Sequence, residues 1–197
     1  MHRAISNWQK MFLKGTGIQV ASTLNFPIAN DTLPMKIAAL KEMIKTGVDQ
    51  FDFPPNPGLL LGGEEKAYFE EMRQIVEVAH ASGVIVKAML EFGYITTPEL
   101  KKKAAQLACE AGIDWVKTST GQYGGPSVQD VMLMVDAVKG TKTKVKVAGV
   151  KDPRPQNAFC FIQAGAELIG TRAAVEILDA VDDLRKIGLI PAYTGDK

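Results

Sequence analysis

The feature that most constrains this chain is a phrase it repeats: an amphipathic helix closes on a glycine, and a short apolar strand follows at once. The phrase reads Thr46-Gly47-Val48, Ala81-Ser82-Gly83, Glu110-Ala111-Gly112-Ile113 and Gln163-Ala164-Gly165-Ala166. Strands that alternate with helices lie parallel, because each strand returns across a helix before the next begins. The periodicity predicts strands at Ile18–Phe26, Gln50–Pro54, Val84–Glu91, Trp115–Ser119, Lys144–Gly149 and Glu167–Gly170. Helices are expected at Leu33–Thr46, Glu64–Ser82, Thr97–Ala111, Val128–Lys139, Pro155–Ala164 and Ala173–Lys186, with an opening one around Ser6–Lys14. Pro98 after Thr97 suits a first helical turn, and Ser127 and Asp31 or Thr32 suit N-caps.

Strand faces distinguish an open sheet from a barrel. A central strand of an open parallel sheet is apolar on both sides. Here several strands carry one polar face. In Val84–Glu91, Val84, Val86, Ala88 and Leu90 share one parity, while Ile85, Lys87, Met89 and Glu91 share the other. Val145 and Val147 oppose Lys144 and Lys146, and Phe51 and Phe53 oppose Gln50 and Asp52. Apolar residues facing the helices and polar ones facing a shared centre are what an enzyme barrel needs near its catalytic end. The expected fold class is therefore α/β, of the (β/α)8 TIM-barrel type, with six βα units in view.

Composition removes several other classes. The 197 residues carry 23 basic and 22 acidic side chains, so no charge excess points to nucleic acid or to an anionic membrane surface. No apolar run approaches the roughly 18 residues of a membrane span, and the N-terminus has no signal-peptide core. A cytoplasmic location is expected. The two cysteines, Cys109 and Cys160, read as free thiols within helices, and two histidines are too few for a metal cluster.

Lys87, Lys117 and Lys146 lie mid-strand with a helix following each. Three such lysines, hard to solvate in a covered parallel sheet, are expected to converge on one interior rather than face solvent from an exposed edge. A lysine amine attacks a carbonyl only when neutral, and its free pKa is about 10.4. Desolvation and a second cation both lower it. Two lysines in one interior thus favour one neutral nucleophile and one charged proton carrier. Asp52 adds a carboxylate for acid–base work. Lys87 and Glu91, four apart on one predicted strand face, read as a supporting ion network. These features do not choose which amine is the nucleophile.

The local sequence does. Val116-Lys117-Thr118-Ser119-Thr120-Gly121, continuing through Gly124-Gly125-Pro126-Ser127-Val128-Gln129-Asp130-Val131, resembles the Schiff-base strand of the deoxyribose-phosphate aldolase family. Val86-Lys87-Ala88-Met89-Leu90-Glu91-Phe92-Gly93 resembles that family's strand ending in a Glu-x-Gly step. Gln50-Phe51-Asp52 resembles its acidic strand, Val145-Lys146-Val147-Ala148-Gly149 its second-lysine strand, and Leu168-Ile169-Gly170-Thr171 its phosphate-binding end. The similarity runs from about Leu13 to Leu178 in the family's order. It implies reversible cleavage of 2-deoxy-D-ribose 5-phosphate to acetaldehyde and glyceraldehyde 3-phosphate. Lys117 would form the imine, Asp52 and Lys146 would move protons, and no metal or organic cofactor would be needed. Gly121, Gly149, Gly170 and Thr171 would surround the phosphate. The chain departs from the pattern at Gly149-Val150, where the family has a glycine pair, and at Thr171-Arg172-Ala173, where it has serines. Arg172 is a candidate phosphate ligand. These departures keep open another class I aldolase with a different acceptor aldehyde.

A full barrel of this class has about 250 residues and eight strands, and the resemblance implies that two family strands would precede Ser6. A truncated reading frame, closure by oligomerisation, and a different role for the first 17 residues are three open explanations. A dimer across the gap is expected, as is a single domain over 1–197 with a C-terminal tail at 187–197. A non-catalytic remnant or binding subunit is the third functional reading.

Overall fold

A computed structural model of the chain describes residues 3–192. Its strands are β1 (Ala21–Thr23), β2 (Gln50–Phe53), β3 (Ile85–Met89), β4 (Trp115–Lys117), β5 (Lys144–Ala148) and β6 (Leu168–Gly170). They form one sheet in chain order, and every neighbouring pair is parallel. The helices are α1 (Arg3–Leu13), α2 (Leu33–Ile44), α3 (Pro57–Leu61), α4 (Glu65–His80), α5 (Pro98–Glu110), α6 (Val128–Val138), α7 (Arg154–Gln163), α8 (Ala174–Asp179) and α9 (Val181–Lys186). The expected repeat of strand and helix is present. Among the described residues β1 pairs only with β2 and β6 only with β5, so the sheet is not closed.

The apolar strand parity packs outward. Phe51, Phe53, Val86, Ala88, Val116, Val145 and Val147 are buried in one cluster with Leu40 of α2, Met72 and Ile75 of α4, and Val131 and Met134 of α6. Each of these side chains larger than alanine contributes about 1.5–3 kcal/mol on leaving water. Helix α5 brings Ala104, Ala105 and Ala108 to the same core, and small side chains allow a close approach to its neighbours. Ser127 caps its helix as expected, and Thr97 before Pro98 also acts as an N-cap. Thr97 accepts a hydrogen bond from Leu100 N, and Ser127 forms a reciprocal capping box with Asp130. Thr32 occupies the N-cap position of α2 without a side-chain cap bond.

Three differences from the sequence reading have local causes. The first strand pairs only over Ala21–Thr23, not Ile18–Phe26. Its approach is held by a side chain, with Val20 N donating to Asp49 Oδ2 at 2.7 Å. Its exit turns at Asn25, which has φ 52°. Ala173–Lys186 is two short helices rather than one, and Asp182 and Asp183 sit in the first turn of the second, where acids favour a new start. Helix α3 was not expected; Asn56 caps it by accepting from Gly58 N, with Pro57 in its first turn. Of the tail expected over 187–197, residues 193–197 lie outside the described residues.

Candidate active site

The inward strand parity supplies the site. Asp52 of β2 and Lys87 of β3 are direct partners across the sheet. Lys117 of β4 pairs with Lys146 of β5, and Lys117 also aligns with Met89, two residues beyond Lys87. The four side chains therefore form two tiers, Asp52 and Lys87 below, Lys117 and Lys146 above. Strands β2 and β5 are three steps apart, about 14 Å in a flat sheet. Yet Lys146 Nζ donates to Asp52 Oδ2 at 2.8 Å, and Lys117 Nζ donates to the same oxygen at 2.9 Å. Only a strongly curled sheet lets both side chains reach, which is the barrel curvature that the polar faces implied.

Three lysines thus address one carboxylate. Lys87 Nζ is 3.5 Å from Asp52 Oδ1 and donates to Gln50 Oε1. Burial by itself would raise the Asp52 carboxyl, but Lys117, Lys146 and Lys87 outweigh it and hold the group below the ordinary carboxylate range. For Lys117, burial is the largest influence and lowers its proton affinity. Asp52 opposes that, Lys146 reinforces it, and the net shift is downward. Lys87 follows the same pattern, brought down to about 8 by burial with Asp52 opposing and the two other lysines assisting. Asp52 stays ionised while Lys117 inclines to the neutral amine. Met89, which the sequence gave no reason to select, places Sδ 3.3 Å from Lys117 Nζ and supplies part of the apolar surround.

Lys117 also opens onto a cavity of about 850 Å³ at the C-terminal ends of the strands. Gly121, Gly149, Gly170, Thr171 and Arg172 line this cavity with it, so the residues singled out for phosphate are brought to one place. Gly170 has a second neighbour: a Cβ there would lie 3.0 Å from Lys146 Cε, so its bareness leaves room for that lysine. The loop after β4 is locked by close backbone approach. A Cβ on Gly125 would fall 2.2 Å from Gly149 O, and one on Gly93 would fall 2.3 Å from Tyr123 O. Thr120, Lys151 and Arg154 also line the cavity and were not selected from the sequence. Arg154 is paired with Asp152 and Glu176.

One expected grouping divides. Lys87 joins the Asp52 cluster, whereas Glu91 Oε2 accepts from Thr120 N at 2.8 Å. The cause is backbone geometry. Strand β3 ends at Met89 and Glu91 has φ 55°, so the two side chains no longer share a strand face. Glu91 thereby ties the end of β3 to the loop following Lys117.

A curled parallel βα sheet with lysines gathered around an inward aspartate, one of them opening on a cavity, places the chain among α/β proteins of the barrel type with a polar interior. The comparisons agree. Residues 10–154 match the family model described as DeoC/LacD family aldolase. A deoxyribose-phosphate aldolase of Streptococcus equi subsp. zooepidemicus is 42% identical over 168 residues, covering 84% of this chain and 74% of that protein. One from Aciduliprofundum boonei is 38% identical over 173 residues, covering 87% and 76%. The tetrameric deoxyribose phosphate aldolase structure from Aeropyrum pernix superposes with a TM-score of 0.79 at 25% identity, covering 92% of this chain and 76% of that one. The chain belongs to the DeoC/LacD family of aldolases.

Proposed function

We propose that this protein cleaves 2-deoxy-D-ribose 5-phosphate reversibly to acetaldehyde and glyceraldehyde 3-phosphate through an imine on Lys117. The observation that carries the reading is the sharing of Asp52 Oδ2 by Lys117 at 2.9 Å and Lys146 at 2.8 Å. The neutral Lys117 amine attacks the aldehyde carbon of the open-chain sugar, giving a carbinolamine. A proton delivered through Asp52 and Lys146 lets water leave, and the protonated imine results. The C–C bond beyond the α-carbon breaks as the adjacent hydroxyl loses its proton. Its electron pair moves onto the imine, giving an enamine and free glyceraldehyde 3-phosphate. Protonation of the enamine carbon and hydrolysis then release acetaldehyde and restore the amine.

Gly121, Gly149, Gly170, Thr171 and Arg172 form the phosphate end in this reading, supported by their common position on the cavity wall. The intact lysine–aspartate cluster favours catalysis over a binding remnant. Val150 after Gly149 also lines the cavity, which favours as second reading a class I aldolase with another acceptor aldehyde. Self-association across the open edges of β1 and β6 belongs to the proposal, as does a cytoplasmic setting, which the free thiols Cys109 and Cys160 suit. Among the described residues no helix is long and apolar enough to cross a membrane.

The test is direct. Purified protein given 2-deoxy-D-ribose 5-phosphate should release both aldehydes in equal amount, and Lys117→Met should release neither. No cleavage by the wild type, with turnover of another aldehyde pair, would move the function to the second reading.

A further inference from the structure

Lys87 is the most buried of the lysines around Asp52, 1% exposed against 7% for Lys117, and no step of the aldol chemistry uses it. Its position follows from register. It is the direct cross-strand partner of Asp52, one tier below Lys117 and Lys146. The two carboxylate oxygens are consequently divided. Oδ2 accepts from Lys117 and Lys146. Oδ1 is buried, accepts no hydrogen bond among the described residues, and faces the Lys87 ammonium at 3.5 Å. Gln50 Oε1 accepts from Lys87 and fixes where that ammonium sits. A carboxylate without this cation would be free to turn and share both oxygens with the upper lysines.

We propose that Lys87 is a positioning residue for the imine chemistry: its buried ammonium holds Oδ1 of Asp52, leaves Oδ2 to face Lys117 and Lys146, and its charge biases Lys117 toward the neutral amine. The inference rests on the Lys117 imine reading. The charged groups facing Lys87 are Asp52 from β2, Lys117 from β4 and Lys146 from β5, while Glu91 beyond β3 adds negative potential at Lys117. Removing the Lys87 charge takes one cation from this set. It also leaves more of the Asp52 charge for Lys117. Both changes raise the proton affinity of Lys117. Burial, opposed by Asp52, brings Lys87 itself to about 8. The bias is therefore complete below that pH and fades as Lys87 loses its proton.

The experiment measures the rate at which acetaldehyde and cyanoborohydride ethylate Lys117, read by peptide mass spectrometry between about pH 5.5 and 9.5. Wild type, Lys87→Met and Lys87→Gln are compared, with folding checked by circular dichroism. In both variants the inflection should move up by about half to one pH unit, slowing the reaction roughly three- to tenfold on its acid side. A loss of packing alone would lower stability and leave the inflection in place. An unchanged inflection in either folded variant would overturn the proposal. Should neither variant fold, the wild-type profile decides: it should be broader than one ionisation, and a single-ionisation curve would overturn the proposal. Absence of ethylation at Lys117 in the wild type refutes the imine reading itself, so the two failures are distinguishable.

Discussion

Among the described residues, lysine is deeply buried against carboxylate between α2 and α4 and again in the sheet interior, and the two sites are built differently. Between α2 and α4, Lys36 and Glu71 form a one-to-one ion pair with side chains 0% and 5% exposed. Lys36 Nζ also donates to Ala29 O at 2.9 Å, and Glu71 Oε2 accepts from Asn56 N at 3.0 Å. Charge is balanced and the spare hydrogen-bonding capacity goes to the backbone, which pins the loops after β1 and β2. In the sheet interior, Asp52 is shared by Lys87, Lys117 and Lys146, with Glu91 acting only at a distance on Lys117. One anion cannot satisfy three cations, so the protonated state of at least one amine is disfavoured. The lesson is that burial lowers the proton affinity of Lys117 and prevails there because the one carboxylate that could oppose it is shared with two other cations.

The largest expected effect removes the nucleophile. Lys117→Met should lower aldolase turnover on the order of 10⁴-fold, because the covalent route disappears. It should leave the fold intact, since a cation is withdrawn from an overcharged cluster. Breaking the balanced pair should do the reverse. Lys36→Met leaves Glu71 buried and uncompensated and should cost about 3–5 kcal/mol in chemical denaturation, while folded protein retains near-normal kcat. Replacing both partners by apolar residues should recover most of that loss.

A third prediction concerns pH. The folded-state value for Lys87 is about 8 against an ordinary 10.5. Between those values the unfolded chain binds more protons, so the stability of the fold should rise with pH by up to about 3 kcal/mol. Lys87→Met should lack this rise when unfolding is followed from about pH 7.5 to 10.5. Asp52→Asn should lower turnover about 100-fold at neutral pH. It should also shift the Lys117 inflection downward, because the anion that partly restored its charge is gone. The smallest effect is at the rim, where Arg172→Ala should raise KM for a phosphorylated substrate about tenfold and leave that for an unphosphorylated one unchanged.

The same two regions show how far the sequence could be read. Asp52, Lys117 and Lys146 were legible because strand periodicity is two, and an inward polar parity survives small errors in strand ends. Lys36 and Glu71 were not, since a lysine or glutamate on an amphipathic helix ordinarily looks solvated. The separation of Lys87 from Glu91 was equally hidden, because it depends on β3 ending at Met89 and on a left-handed backbone at Glu91. At the rim, Gly121, Gly149, Gly170, Thr171 and Arg172 were found through a resemblance, whereas Lys151 and Thr120 reach the cavity through loop paths with no periodic signature.

The central contrast is tested most directly by treating the wild-type protein with acetaldehyde and borohydride at neutral pH and mapping ethyl groups on every lysine. The unbalanced cluster predicts one dominant adduct on Lys117 and none on Lys36. An unmodified Lys117, or labelling spread over surface lysines without preference for it, would contradict the account.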